Sequence, residues 1–450
     1  MNRRIALGTG LTVGAAFGLT ANASAAQFQV DTNSDSVLTA CTGAAADCSL
    51  RGAITDSNAT STVTDVITFA SAISGQTITL PNPGYAGALP QITDAVTIDG
   101  PGANLLTIDG NNNSGIFRIA PPAGEPVVIE GLTLTHGMQL SGAAIEDFTA
   151  KLTVQDSVIT GNTATTIGGG IHEYGGFENG AQTQIIGSTI SGNTTSSSSG
   201  DGGGIAGEYG LGTIIRSTIA NNHAGAGPLS RGGGVYADGV ELIDSTVAGN
   251  SAGVGGGLET SDTDIRNSII ANNTAFDAES GHDIWATGAS TITARFSLIE
   301  RYSATITDAV ARSNILGQDP QLAALAGNGG ATPTMRLLSS SPAVDCGSSS
   351  ATTDQRGSAR PVDLAGRTNS NVAGADASDI GAFELTGSAS GSCPNFIGSS
   401  GAGPQPAGPQ PAPQPGSTAK KCKKKKKKHK KHASAAKKKH KKCKKKKKKR

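Results

Sequence analysis

Carboxylates recur just beyond short runs of glycine or other small residues in this chain: Glu146 or Asp147, then Glu173, Glu208, Asp238 and Glu259. Acids repeated in this way suggest three chemistries. On stacked layers of backbone they would lie about 5 to 10 Å apart, close enough to ligate Ca²⁺ through their oxygens. They could instead grip a sugar chain, or supply the two carboxylates that a glycoside hydrolase holds about 5 to 9 Å apart. Glu173, Glu208, Asp238 and Glu259 are the catalytic candidates, and Glu173, Glu208 and Asp238 the calcium candidates; no other cofactor is expected. Acids on solvent-facing loops are also the commonest surface residues. That plainer reading is preferred, so the chain is expected to bind or to build rather than to catalyse.

The other reactive side chains support little chemistry. His172 beside Glu173 and His282 beside Asp283 have no second histidine at ligand spacing and are expected on loops. A lyase would need a base near its acids. Arg216, Arg231 and Arg266 stand in suitable positions, though Asp264-Ile-Arg266 reads more simply as charge balance along a strand. Gly281-His282-Asp283 is the nearest approach to a polygalacturonase-like Gly-His-Gly. Neither a nucleotide-binding glycine loop in strand–helix context nor an HExxH zinc motif occurs. Arg51, with Asp47 and Asp56 close in sequence, and Arg356 and Arg360 near Asp354, are expected in structural ion pairs.

What must position these residues is a repeat. DSVITGN ending at Asn162, GSTISGN at Asn193, RSTIANN at Asn222, DSTVAGN at Asn250 and NSIIANN at Asn273 restate one pattern. Its period of roughly 23 to 31 residues suits the stacked coils of a solenoid. Short β-branched runs alternate with turn clusters from Asp65 onward, and no long helix is indicated. Glycine triplets at 168–170, 202–204, 232–234 and 255–257 each precede an apolar residue, Ile171, Ile205, Val235 or Leu258. A three-sided coil needs such corners, because bulky side chains do not fit where layers stack about 4.8 Å apart. The five asparagines are expected to form a ladder, each amide bonding to the next rung. The fold class is all-β, a parallel β-helix of ten to twelve coils.

Both ends differ from the body. Residues 1–25 read as a signal peptide with a basic start and a small-residue cleavage pattern, and no other segment is apolar enough to span a bilayer. Residues 26–60 form an N-terminal cap in which SLRGAI is a short helix; 61–345 form the β-helix, 346–385 a closing region, and 386–419 a Gly/Ser/Pro/Gln linker. Residues 420–450 hold 21 lysines and an arginine without an acid, whereas residues 26–419 carry 13 basic residues against 35 acids. A tail of +22 therefore follows a body of −22. Such a tail is expected to stay disordered and to bind polyanions. Six cysteines fall in three neighbouring pairs, Cys41 with Cys48, Cys346 with Cys393 and Cys422 with Cys443, and bridging within pairs is the simplest of 15 connectivities. Export permits disulfides.

CSLRGAI at residues 48–54 resembles the CSLREAI signature of exported bacterial β-helix proteins, with Gly52 where glutamate is usual. NILGQDP at 314–320, GNGGATPT at 327–334, SSPAVDCG at 340–347, TDQRG at 353–357 and DIGAFE at 379–384 are similar to the closing region of the "choice-of-anchor Q" surface proteins. The resemblance covers about residues 41–385. It implies a right-handed, pectate-lyase-like β-helix, exported and held at the cell surface, often without a known activity. The resulting expectation is a non-enzymatic, secreted or cell-wall-associated protein with an adhesion, matrix or envelope-binding role. Its tail would engage anionic envelope polymers or acidic polysaccharide, and its β-helix a glycan or protein ligand; intracellular nucleic acid is not an expected partner. The alternative is a carbohydrate-active enzyme or carbohydrate-binding module that uses the acids.

Overall fold

The computed structural model describes residues 25–59, 63–81, 88–175, 182–276, 280–286 and 290–394. Residues 1–24, most of the linker at 386–419, the lysine tail, and with them Cys422 and Cys443, lie outside those residues.

Parallel strands stack into a β-solenoid of about 11 turns. One sheet starts at Gln27–Val30 and climbs rung by rung through Asp65–Phe69, Val96–Asp99, Pro126–Glu130, Lys151–Gln155, Thr183–Ile186 and Gly212–Ile215. A second, ten-stranded sheet runs from Gln76–Thr79 to Ile315–Leu316. The third carries Phe117–Ile119, Ile145–Asp147, Ile171–Glu173 and Ile205–Gly207. It fuses with the first because the nine-residue strands Val235–Ile243 and Leu258–Arg266 run through both. A short four-stranded sheet, Met138–Ser141 to His223–Ala224, fills a corner, so the coil has three long sides and one short one.

Every strand alternates, and its inward residues meet their equivalents on the next rung. Ile145, Ile171, Ile205, Val235, Leu258 and Ile284 form one such column, and Ile108, Leu134, Ile159, Ile190, Ile219, Val247 and Ile270 another. All are 0–1 % exposed and belong to one continuous core.

Two hydrogen-bond ladders lock the register. Asn162 Nδ2 donates to Asn193 Oδ1 at 2.9 Å, and the same bond joins Asn193 to Asn222, Asn222 to Asn250 and Asn250 to Asn273. Asp283 ends this series: its Oδ1 accepts from the amide and the side chain of Asn273. The serine of each repeat does likewise. Ser157 N bonds Ser188 Oγ, and the series continues through Ser217, Ser245, Ser268 and Ser297 to Asn314 Oδ1. Ser297 and Asn314 keep the apolar pair that follows, Leu298-Ile299 and Ile315-Leu316, but lack the closing asparagine, and so fall outside the five sequence repeats, as does Asp283.

At the glycine corners the first residue is left-handed, as at Gly202 with φ of +61°. The second is closed by the next rung: a Cβ on Gly169 would stand 2.1 Å from Gly203 O.

The N-terminal cap contains α1, Leu50–Ser57, started by Ser49, whose side chain accepts from Gly52 N. Leu50, Ala53 and Ile54 close the end of the core. A Cβ at Gly52 would meet Leu38 O at 1.8 Å, so the glutamate of the resembled signature has no room here. Arg51 is paired, but its partner is Asp35 at 2.8 Å and not Asp47 or Asp56, because residues 31–38 fold across the helix. Cys41–Cys48 and Cys346–Cys393 are disulfides.

The C-terminal segment runs back along the second sheet rather than across its end. Thr332 Oγ1 bonds Gly187 O, Gln355 bonds Ser188, Thr189 and Thr218, Arg216 bonds Thr353, Ala382 N bonds Thr246, and Asn267 bonds Asp379 O. Arg360, fully buried, pairs with Glu384 at 2.8 Å and Asp244 at 3.4 Å, while Arg356 pairs with Asp354 and stacks 3.6 Å from the Phe383 ring centroid.

Candidate functional site

The third sheet decides where the candidate acids point. The fourth residue after the first corner glycine faces outward and the fifth inward. The outward column reads Arg118, Glu146, His172, Ala206, Tyr236, Glu259, Trp285; the inward one reads Ile119, Asp147, Glu173, Gly207, Ala237, Thr260, Ala286.

The expected acidic stripe is therefore split. Glu146 and Glu259 share the outward column but stand four rungs apart, about 19 Å, too far to act as a carboxylate pair. Asp147 and Glu173 point inward and are 0 % and 1 % exposed. Asp147 caps the turn to the next strand, its Oδ1 accepting from Thr149 N and Ala150 N, and Glu173 Oε2 accepts from Thr183 N at the start of the next strand. Glu208 and Asp238, one residue further on, face out again. Glu173, Glu208 and Asp238 thus do not converge on one cation, and among the described residues no three metal-ligating side chains do. Alternation along the strand is the physical reason.

One of the two histidines differs from expectation. His172 lies on a strand, buried against Tyr174, with neither nitrogen hydrogen-bonded among the described residues; its Nε2 is 3.8 Å from the Glu208 carboxylate. Burial lowers its pKa to about 4, so it is neutral at neutral pH. His282 accepts from Ala275 N in the corner that holds Asp283.

Around the outward column gather charge and most of the chain's larger aromatic polar side chains. Arg118 pairs with Glu146 at 3.2 Å and lies 4.9 Å from the Phe148 centroid, and Phe148 in turn meets Tyr174. Arg231 pairs with Asp201 at 2.6 Å and covers Tyr236 at 4.3 Å. Tyr174 is half exposed, and Tyr209, in the turn after Gly207, is 59 % exposed. Trp285, the chain's one tryptophan, is half-buried. Burial raises the Glu259 carboxyl to about 7, opposed by Arg231 and reinforced by Asp201 and Asp238. Glu208 is raised by burial and then by Asp201.

Along Val235–Ile243 and Leu258–Arg266 this face passes directly into a groove of about 620 Å³. Thr213, Glu241, Asp264 and Thr293 line it as one column, with Gly212, Gly239 and Asp262 beside them. Arg266 bridges Glu241 at 2.8 Å and Asp264 at 2.7 Å, and Arg295 reaches Asp264 at 3.4 Å.

Chemically, the surface offers rings for stacking, carboxylates and threonine hydroxyls for hydrogen bonding, and arginines already engaged by acids. Sequence reading missed Asp201, Tyr236, Trp285 and the groove. Tabulating the fourth residue after each corner glycine would have exposed the aromatic column. Comparison with models of protein families, with curated proteins and with solved structures finds no match to this chain.

Proposed function

We propose that this is an exported, cell-surface or matrix protein whose β-solenoid binds glycan on the third-sheet face and whose lysine tail holds it to anionic envelope polymers. The observation that carries the reading is the gathering of Tyr174, Tyr209, Tyr236 and Trp285 on or beside one charged face that opens into a hydroxyl-lined groove. Aromatic rings cover the apolar faces of sugars while carboxylates accept their hydroxyls, the mix of apolar platform and few placed polar groups that ligand sites use. The resemblance of CSLRGAI and of the closing motifs to surface β-helix proteins supports export, as do the two disulfides. In the groove Glu241 and Asp264 are tied to Arg266 and Asp262 accepts from Thr291 N, an arrangement suited to holding shape rather than to paired acid–base work.

The full chain applied to a polysaccharide array, with and without Ca²⁺, tests this. Retention of at least one glycan, lost on Tyr236→Ala, is the expected outcome; an empty array in both conditions would remove the glycan reading.

A second reading, cleavage of the bound glycan, has one observation in its favour. Glu259 is held near pKa 7, suited to a general acid, with Asp238 nearby. New reducing ends from the retained glycan, abolished by Glu259→Gln, would establish it over simple binding.

A further inference from the structure

Three successive outward positions of the third sheet are Tyr236, Glu259 and Trp285. Adjacent rungs are about 4.8 Å apart, so one carboxylate is bracketed by two aromatic side chains. Glu259 is 3 % exposed, yet among the described residues it accepts no hydrogen bond and has no ion-pair partner. Arg231, whose charge it senses, spends its guanidinium on Asp201 and on the Tyr236 ring. A largely buried carboxyl without a protein donor is costly in its charged form and is relieved by a cation. Asp201, Asp238 and Glu208 add acid on the same side of the molecule, against Arg231 and, further along the column, Arg118, which Glu146 already engages.

We propose that the Tyr236–Glu259–Trp285 column is a subsite for a protonated amine, so that the glycan bound on this face carries free amino groups. This rests on the glycan reading above. Ring faces attract cations, and a carboxylate gives an ammonium its strongest hydrogen bond. The surplus of acid repels uronic-acid polymers from the same face, which separates this site from the tail, whose partners are polyanions.

The full chain is titrated calorimetrically, slightly below neutral pH, with a glucosamine hexasaccharide and with its fully N-acetylated counterpart. The lysine tail repels the cationic sugar, so heat of binding reports on the body. The free-amine sugar is expected to bind at least about 10-fold tighter, a preference worth about 1.4 kcal/mol. Glu259→Gln erases that preference. Trp285→Leu, a second variant away from the carboxylate, weakens the free-amine sugar. Equal affinities in the native chain, or a preference that survives Glu259→Gln, overturn the amine subsite and leave the glycan face standing. Choline bound as tightly as the hexasaccharide overturns the sugar as carrier of the amine. Failure of both hexasaccharides, together with an empty array, overturns the two readings at once.

Discussion

Asn222 shows how much one side chain does in this fold. Its amide donates to Ile190 O and Asn250 Oδ1, and its Oδ1 accepts from both the backbone and the side chain of Asn193. Asn222→Ala strands those groups in a dry interior, where each unsatisfied partner costs about 1 to 3 kcal/mol. A loss of about 3 kcal/mol, read by urea unfolding, is expected; Ser199→Ala, on an exposed loop, should cost nothing measurable. The buried acids set a pH dependence. Burial raises Asp147, Asp283 and Glu259 to about 7. An acid whose folded pKa exceeds its unfolded value binds a proton on folding between the two. Its contribution is complete below the unfolded value of about 4 and is lost as pH rises through the folded value. Thermal stability is therefore expected to fall from pH 5 to pH 8, by at most about 1.4 kcal/mol per unit for each group. Asp147→Asn keeps both turn bonds on its oxygen and should flatten the profile; an unchanged slope would show that Asp147 does not titrate there.

At the scale of elements, the corner glycines are the test of stacking. A Cβ at Gly203 would lie 2.4 Å from His223 C and 2.5 Å from Gly233 O, both backbone that cannot yield. Gly203→Ala should cost about 3 kcal/mol or more and lower the yield of folded protein. Gly327→Ala meets nothing within 4 Å and should be neutral. Comparable melting temperatures for the two would refute the stacking argument. The solenoid was legible because repeat, corner and ladder each leave a mark at fixed spacing. Ile171, Ile205, Val235 and Leu258 follow the triplets and do form one core column. The site was less legible, because a single position decides whether an acid faces water or core. Glu173 and Glu208 look alike in sequence, yet the first is buried and accepts from Thr183 N on the next strand, while the second stands in the outward turn beside His172. Nor does sequence order show that the segment around Gln355 folds back on Ser188 and Thr218, far earlier in the chain. Such contacts follow from surface shape and have no period to betray them.

Charge is the argument of the whole molecule. A tail of +22 on a chain whose body is −22 is an electrostatic tether in the proposed account, and such contacts weaken with ionic strength because the Debye length shrinks to about 3 Å at 1 M salt. Cells washed with rising salt should release the protein below about 1 M, and deletion of residues 420–450 should release it into the medium without salt. Retention unaffected by either treatment would refute the tether. The central claim concerns the aromatic face, and titration of the glycan retained on the array tests it most directly. Replacing Tyr174, Tyr236 and Trp285 together with alanine should lower affinity by about 100-fold or more, roughly 3 kcal/mol. Thr107→Ala, on the second sheet, should leave it unchanged. Undiminished binding by the triple variant, with its fold intact by circular dichroism, would contradict the account.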